Sequence, residues 1–345
     1  MNLFYPSHDI ALAHGVRHFN PPAAALRLQE DLAYLHEIWN QPFLKGETSI
    51  PLPWGWDWDT RDHIHRKYDV KMHDLPSDDD LELIRNISSR RSSISCLEKL
   101  HEKQIVFSCT IPKFLDSEDK LWSFITKKDA DNIPFVLKTP WSSSGRGLLV
   151  SFSRMNNGLL VNNSRTLMMK QALGTINKMG GIMGEEWIAD KVQDFAMLFY
   201  ASDKDVRFIG YSLFDNDKSS IGTTYRQGYL LSNEKIEDKL SLPKALLYSI
   251  TKAYEEILTE MLHPLFGKTW HLGFLGVDML TYREKMEDDD KRVTLKVHPC
   301  IELNLRCTMG VVCRLWYDQH KIEGMFHITP MQYNRHFKAE FLPTT

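Results

Sequence analysis

The chain has 345 residues, 42 Lys and Arg against 45 Asp and Glu, a net charge of −3, and 43% hydrophobic residues. This composition excludes disorder as the main state, and the near-neutral balance gives no global attraction to nucleic acid or to an anionic membrane. No apolar run reaches the roughly 18–20 residues of a membrane span, no basic-then-apolar leader opens the chain, and five Cys without a CxxC pair read as reduced thiols of a cytoplasmic protein.

Residues 1–90 read as a first unit of α/β type, and 91–345 as a second, larger one. Leu28, Leu32, Leu35 and Trp39 recur at steps of four, three and four, which predicts a helix over 26–39. Pro51-Leu52-Pro53-Trp54-Gly55-Trp56 is a rigid aromatic turn. Asp78-Asp79-Asp80 opens an acidic helix start, favourable at the positive end of the helix dipole. Ile94, Leu97 and Leu100 share a helical face, 105–107 reads as a short strand, and 117–126 as a helix.

From 135 the texture changes. Phe135-Val136-Leu137-Lys138 is an apolar strand ending in a cation. A small-residue loop, 139–147, leads to the strand Leu148-Leu149-Val150. Strand–loop–strand without GxxxxGK is not a Walker phosphate loop. Further on come a helix over 165–180, a hinge at 184–188, and strands over 195–200, 206–214 and 224–231. A strong helix spans 243–262, with a Pro tolerated in its first turn. Strands over 272–280 and 293–305 are joined by a charged turn at 283–292.

Three features carry chemistry. In a strand, Glu302, Asn304 and Arg306 share one face while Ile301, Leu303 and Leu305 take the other. With Asp278 on the neighbouring strand, that face offers oxygen ligands of the kind Mg²⁺ takes, although a polar strand face can equally be a solvated one. Lys138 followed by Ser142, Ser143, Ser144, Gly145, Arg146 and Gly147 offers charge, hydroxyls and backbone N–H groups that can wrap a triphosphate; a plain hairpin loop is the alternative. Glu185, Glu186, Trp187 and Ile188 can present an extended backbone to a purine edge, and Asp194 can hold ribose hydroxyls; an exposed acidic turn is the alternative.

The order of these features along 90–315 resembles the ATP-grasp superfamily of carboxylate–amine ligases, such as D-alanine–D-alanine ligase. Lys138 and the 142–147 loop match its strand-ending Lys and small-residue loop. Glu185 to Ile188 matches its adenine hinge, and Asp278, Glu302, Asn304 and Arg306 match its Asp and Glu-x-Asn-x-Arg. The resemblance implies an α+β fold in which two α+β lobes sandwich a nucleotide behind the N-terminal unit. It implies ATP held by Lys138, Ser143, Ser144, Gly145, Glu185, Glu186, Ile188, Asp194 and an earlier cation. Of Arg90, Arg91 and Lys99, Arg91 is chosen for that cation. It further implies Mg²⁺, two ions, on Asp278, Glu302 and Asn304, and charge neutralisation by Lys138 and Arg306. The implied reaction makes an acyl phosphate from a small-molecule or peptide carboxylate for an amine to attack. Alternatives are phosphorylation of a hydroxyl, or a nucleotide-binding module without catalysis. The hydroxyl reading asks for a general base near the γ-phosphate, and no His or free carboxylate is placed there by sequence.

The N-terminal stretch, with Ser7-His8-Asp9 and Pro53-Trp54-Gly55-Trp56, matches no well-known member closely, and acceptor identity rests there. His63 and His65 would share a strand face, and His14 and His18 have helical spacing; surface positions are the expectation for all four. Arg207 and Arg226 read as charged surface or as anchors for a substrate acid. Cys307 and Cys313 read as packed thiols.

Overall fold

The computed structural model describes residues 3–142, 147–151, 154–156, 159–161, 165–219, 222–286, 289–330 and 336–344. Its strands, in chain order, are β1 (Lys113–Leu115), β2 (Phe135–Lys138), β3 (Leu148–Val150), β4 (Arg154–Asn156), β5 (Leu159–Val161), β6 (Ile182–Glu186) and β7 (Lys191–Ala201). There follow β8 (Val206–Ser219), β9 (Gly222–Leu230), β10 (Gly273–Met286), β11 (Asp289–Asn304), β12 (Gly324–Pro330) and β13 (Phe337–Pro343). They make a small sheet, β1-β6-β2-β3, a large sheet, β11-β10-β7-β8-β9-β12-β13, and a ribbon, β4-β5. Every described pairing is antiparallel, so the chain is an α+β protein.

Alternation along β7 explains how the large sheet is covered. Phe195, Met197 and Phe199 point into one core with Leu247, Ile250, Tyr254 and Leu258 of the helix Lys244–Leu262. Ala196 and Leu198 point into another, with Val311 and Val312 of the helix Met309–His320 and with Phe4, Leu32, Trp39 and Trp54. The small sheet has its own core, where Phe135 and Leu137 meet Leu121 and Phe124 of the helix Glu118–Ala130 and Met168 and Ala172 of the helix Arg165–Met179. Leu3, Trp56 and Ile64 lie in the same buried core as Phe195 and Tyr254.

Several sequence expectations change. The described part of 1–90 is helical: His8–His14, Ala23–Asp31, Trp58–Tyr68 and Asp78–Ile87 are α-helices, and its ladder contact is a lone bridge from Gly55 to Arg306. Pro51 and Pro53 remove backbone donors from the extended stretch, so it cannot form an interior strand of a sheet. The 26–39 helix is broken at Leu32 into Ala23–Asp31, a 3₁₀ turn and His36–Trp39. His63 and His65 therefore lie on a helix, where residues two apart do not share a face. Residues 105–107 make no ladder, and Val106 is exposed; β1 forms eight residues later. The 184–188 hinge is largely strand β6, and the turn at 283–292 continues mostly as β10 and β11. The acidic start at 78 holds: Ser77 and Asp80 form a reciprocal capping box.

Candidate active site

The pairing of β10 with β11 places Asp278 directly opposite Glu302, and Gly276 opposite Asn304. Directly opposed residues hold their Cβ atoms about 4.5–5.5 Å apart, so two carboxylates face each other over one spot. A register shift follows Asp278, a bulge of the sort that re-aims side chains beside sites. Burial, then the Glu302 charge, pushes the Asp278 carboxyl up to about 7; Arg306 and the donating Asn304 amide pull the other way.

Cations close on this face from two sides. Arg90, buried, donates from Nη2 to Glu302 Oε2 at 2.9 Å. Its Nη1 reaches the Thr139 carbonyl at 2.8 Å and Ser142 Oγ at 2.7 Å, and its backbone N–H the Pro140 carbonyl at 2.8 Å. One guanidinium thus ties the loop after β2 to the acidic strand. From the other side, Arg306 forks onto Asp9, with Nε and Nη2 each 2.7 Å from a carboxylate oxygen. Its Nη1 donates to the Cys307 carbonyl at 3.1 Å. Burial raises the Asp9 carboxyl, but Arg306 outweighs it and holds the group below its ordinary value.

The small sheet supplies the facing wall. Lys138, at the end of β2, is paired with Glu185 on β6, and Lys128 with Glu186. The loop after Lys138 is pinned at its base, where the Thr139 N–H donates to the Gly147 carbonyl at 3.2 Å. Gly147 has φ +73°, and a Cβ there would stand 2.6 Å from Thr139 Oγ1, so the turn requires glycine. Trp141 donates to the Arg85 carbonyl at 2.9 Å beneath the Arg85 guanidinium. On the large sheet, burial and then the nearby Lys138 charge press the buried His298 of β11 down to about 3.

The sequence-named residues fall as follows. Asp278, Glu302, Asn304 and Arg306 come together, with Asp194 close enough that its charge adds to Asp278. Asp194 accepts from Lys191 at 2.5 Å and Asn216 at 2.9 Å. Ile188 follows β6, half-buried. Ser143, Ser144 and Gly145 lie outside the described residues. The cation at the acidic strand is Arg90 instead of Arg91: Arg91 is exposed and stacks over Phe114 at 4.8 Å. Lys99 binds Glu260 at 2.7 Å, away from the site. Arg207 is exposed and holds Asp205; the side chain of Arg226 lies outside the described residues. Sequence reasoning also missed Asp9 and His298, and His8, whose Nδ1 lies 2.9 Å from Asp57 Oδ2. The only signal for Asp9 and His8 was an unmatched Ser-His-Asp at the start of the chain.

Among the described residues, no group of three His, Cys, Asp or Glu is arranged to hold a metal. Two opposed carboxylates and a carboxamide fit a hard cation that brings waters and phosphate oxygens for the rest of its shell, as Mg²⁺ does. Two antiparallel sheets thus carry Lys138 on the small one and the oxygen donors Asp278, Glu302 and Asn304 on the large one.

No family model and no curated protein matches the chain. Among solved structures, the chain is similar to N5-carboxyaminoimidazole synthase from Aspergillus clavatus in complex with ADP and 5-aminoimidazole ribonucleotide. Identity is 15% over 75% of this chain and 59% of that one, with a TM-score of 0.39. It is similar to the biotin carboxylase domain of Hydrogenobacter thermophilus 2-oxoglutarate carboxylase with MgADP and bicarbonate, at 12% identity over 90% and 63%, with a TM-score of 0.45. It is also similar to phosphoribosylamine–glycine ligase from Thermotoga maritima, at 12% identity over 74% and 62%, with a TM-score of 0.45. The chain spans less than two thirds of the length of each.

Proposed function

We propose that the protein is an ATP- and Mg²⁺-dependent carboxylate–amine ligase that forms ADP. The observation that supports this reading is Arg90, which joins Thr139 and Ser142, at the base of the loop after Lys138, to Glu302 beside Asp278. Lys138 and Arg90 would neutralise the triphosphate, each exchanging its present carboxylate partner for phosphate oxygens. Glu185, Glu186, Ile188 and Asp194 would face adenosine, and Ser143, Ser144 and Gly145, outside the described residues, are assigned to the phosphates on the resemblance of the loop. Asp278, Glu302 and Asn304 would hold Mg²⁺, two ions, which when bound would supply positive charge to the phosphates. Arg306 would orient a substrate acid at the end of the same strand, once its fork is shared with or released by Asp9. Residues 1–90 then form the acceptor side, and 91–345 the nucleotide-binding unit. The partners are a small-molecule or peptide carboxylate and an amine. No helix among the described residues is long and apolar enough to cross a membrane.

Hydroxylamine tests the acyl phosphate. With Mg-ATP and a panel of acids, the expected products are a hydroxamate and ADP. A phosphorylated alcohol, with no hydroxamate from any acid, refutes the ligase reading. Phosphorylation of a hydroxyl is the second reading, and one observation favours it: the structure does bring a His, His8, toward the acidic strand.

A further inference from the structure

His8 and Asp9 start one short helix and are tied in opposite directions. Asp9 holds Arg306, two residues beyond Asn304, and His8 holds Asp57. Asp57 is itself fixed, because its Oδ1 accepts the Thr60 N–H at 2.8 Å as the N-cap of Trp58–Tyr68. A carboxylate at Nδ1 selects the tautomer that carries its proton there, which leaves a lone pair on Nε2. His8 is 1% exposed, and its Nε2 has no hydrogen-bond partner among the described residues. Unpaired buried polar atoms are costly, and a catalytic role is one reason a native protein keeps one.

The ring edge is aimed at the end of the acidic strand. A Cβ on Gly55 would stand 2.7 Å from His8 Nε2 and Cε1, and 2.9 Å from Arg306 Cβ. Only glycine lets the imidazole and the strand close on the same point. What covers Nε2 there is the lone Gly55–Arg306 bridge, flanked by the Cys307 N–H donating to the Trp54 carbonyl at 2.7 Å. A lone bridge parts more readily than a ladder. Until it does, it keeps water from a group that would meet a hydrolysable intermediate.

Resting on the ligase reading above, we propose that His8 is a catalytic residue of amide formation: its Nε2 takes the proton from the acceptor amine as that nitrogen attacks the acyl phosphate. The C–N bond forms, the acyl C–O bond to phosphate breaks, phosphate leaves with the bonding electrons, and the proton passes from nitrogen to Nε2. Asp57 orients the ring and stabilises the imidazolium. The acceptor is thereby an amine with an N–H to lose, entering from the side of the N-terminal helix.

Two measurements test this. His8→Asn keeps a nitrogen for Asp57 and deletes Nε2; Asp57→Asn keeps the helix cap and removes the orienting charge. In ¹⁵N spectra of the whole protein, the His8 signals, assigned by their loss in His8→Asn, should show Nδ1 protonated and Nε2 bare at mildly alkaline pH. The opposite tautomer overturns the proposal whatever the reaction proves to be. In turnover, an acid that gives hydroxamate is offered the common amino acids as amines. General-base removal predicts that amide formation in His8→Asn falls about 100-fold or more while hydroxamate formation, whose weakly basic nitrogen sheds its proton to solvent once it has attacked, stays within about threefold. Equal loss of both products, or loss of neither, overturns the role. Wild-type protein that phosphorylates an alcohol and forms no hydroxamate overturns the ligase reading and the amide role with it, whereas hydroxamate formation that His8→Asn leaves in step with amide formation overturns the role of His8 alone.

Discussion

Replacing Asp278 with Asn should stabilise the nucleotide-free protein while abolishing ATP consumption. Burial, and then the Glu302 charge across the strand pair, carries the Asp278 carboxyl from 3.8 to about 7. At 1.36 kcal/mol per unit, a rise of roughly three units costs the folded state up to about 4 kcal/mol once the group is ionised in both states. Between the unfolded value and the folded one, the native protein keeps the proton and the unfolded chain does not. Stability therefore falls as pH rises through that window, is unaffected by the group below it, and is constant above it. Asn cannot ionise, so the variant lacks this slope while keeping the shape and a partner for Asn304. Urea unfolding in chelator, compared near pH 5 and near pH 8, measures the difference. The variant should exceed the wild type by about 2–4 kcal/mol at the higher pH and by about 1–2 kcal/mol at the lower. Added Mg²⁺ and ATP should narrow the gap, because a cation between Asp278 and Glu302 removes the repulsion. A variant less stable than the wild type near pH 8, or a gap that ignores pH, would refute the reasoning.

Arg90 and Arg91 should behave oppositely. Arg90→Leu strands the Glu302 charge and frees the 139–142 loop, a loss of about 3–5 kcal/mol in denaturant unfolding, whereas Arg91→Ala forgoes one exposed ring contact worth about 0.5–1 kcal/mol. Mg-ATP should raise the melting temperature, since a ligand that binds only the native state stabilises it, and Lys138→Ala should blunt that rise. Asp9→Asn should cost about 1.5–3 kcal/mol at neutral pH, as expected for losing charge-assisted hydrogen bonds in a partly buried pair. Asp9 is held below its ordinary value, so this stabilisation is present above the ordinary carboxylate range. The wild type should lose it as pH falls through the folded value; urea midpoints of both proteins that keep their separation into strong acid would count against the pair.

The local periodicities were legible in the amino-acid sequence because they depend on neighbours a few residues apart. The run Phe135-Val136-Leu137-Lys138 had to be a buried strand with its cation at the rim. The apolar face of Lys244–Leu262 had to be a helix, and alternation at 301–306 separated a core face from a polar one. Ladder register then turned the polar face into a site, because only pairing sets Asp278 against Glu302. Short apolar pieces were ambiguous for the same reason. Ile105-Val106-Phe107 has strand-like residues but no strand partner among the described residues, while Lys113–Leu115 became a strand because β6 offered its edge. Charge was harder still. Arg90 and Arg91 are chemically identical and adjacent, and what separates them is that one side chain turns toward Glu302, 212 residues away in sequence, and the other toward Phe114. His8, Asp9, Gly55 and Asp57 carry no spacing that links them to residue 306. They meet the acidic strand only because the N-terminal helices close on the same large sheet, where burial makes each unpaired or opposed charge costly enough to matter.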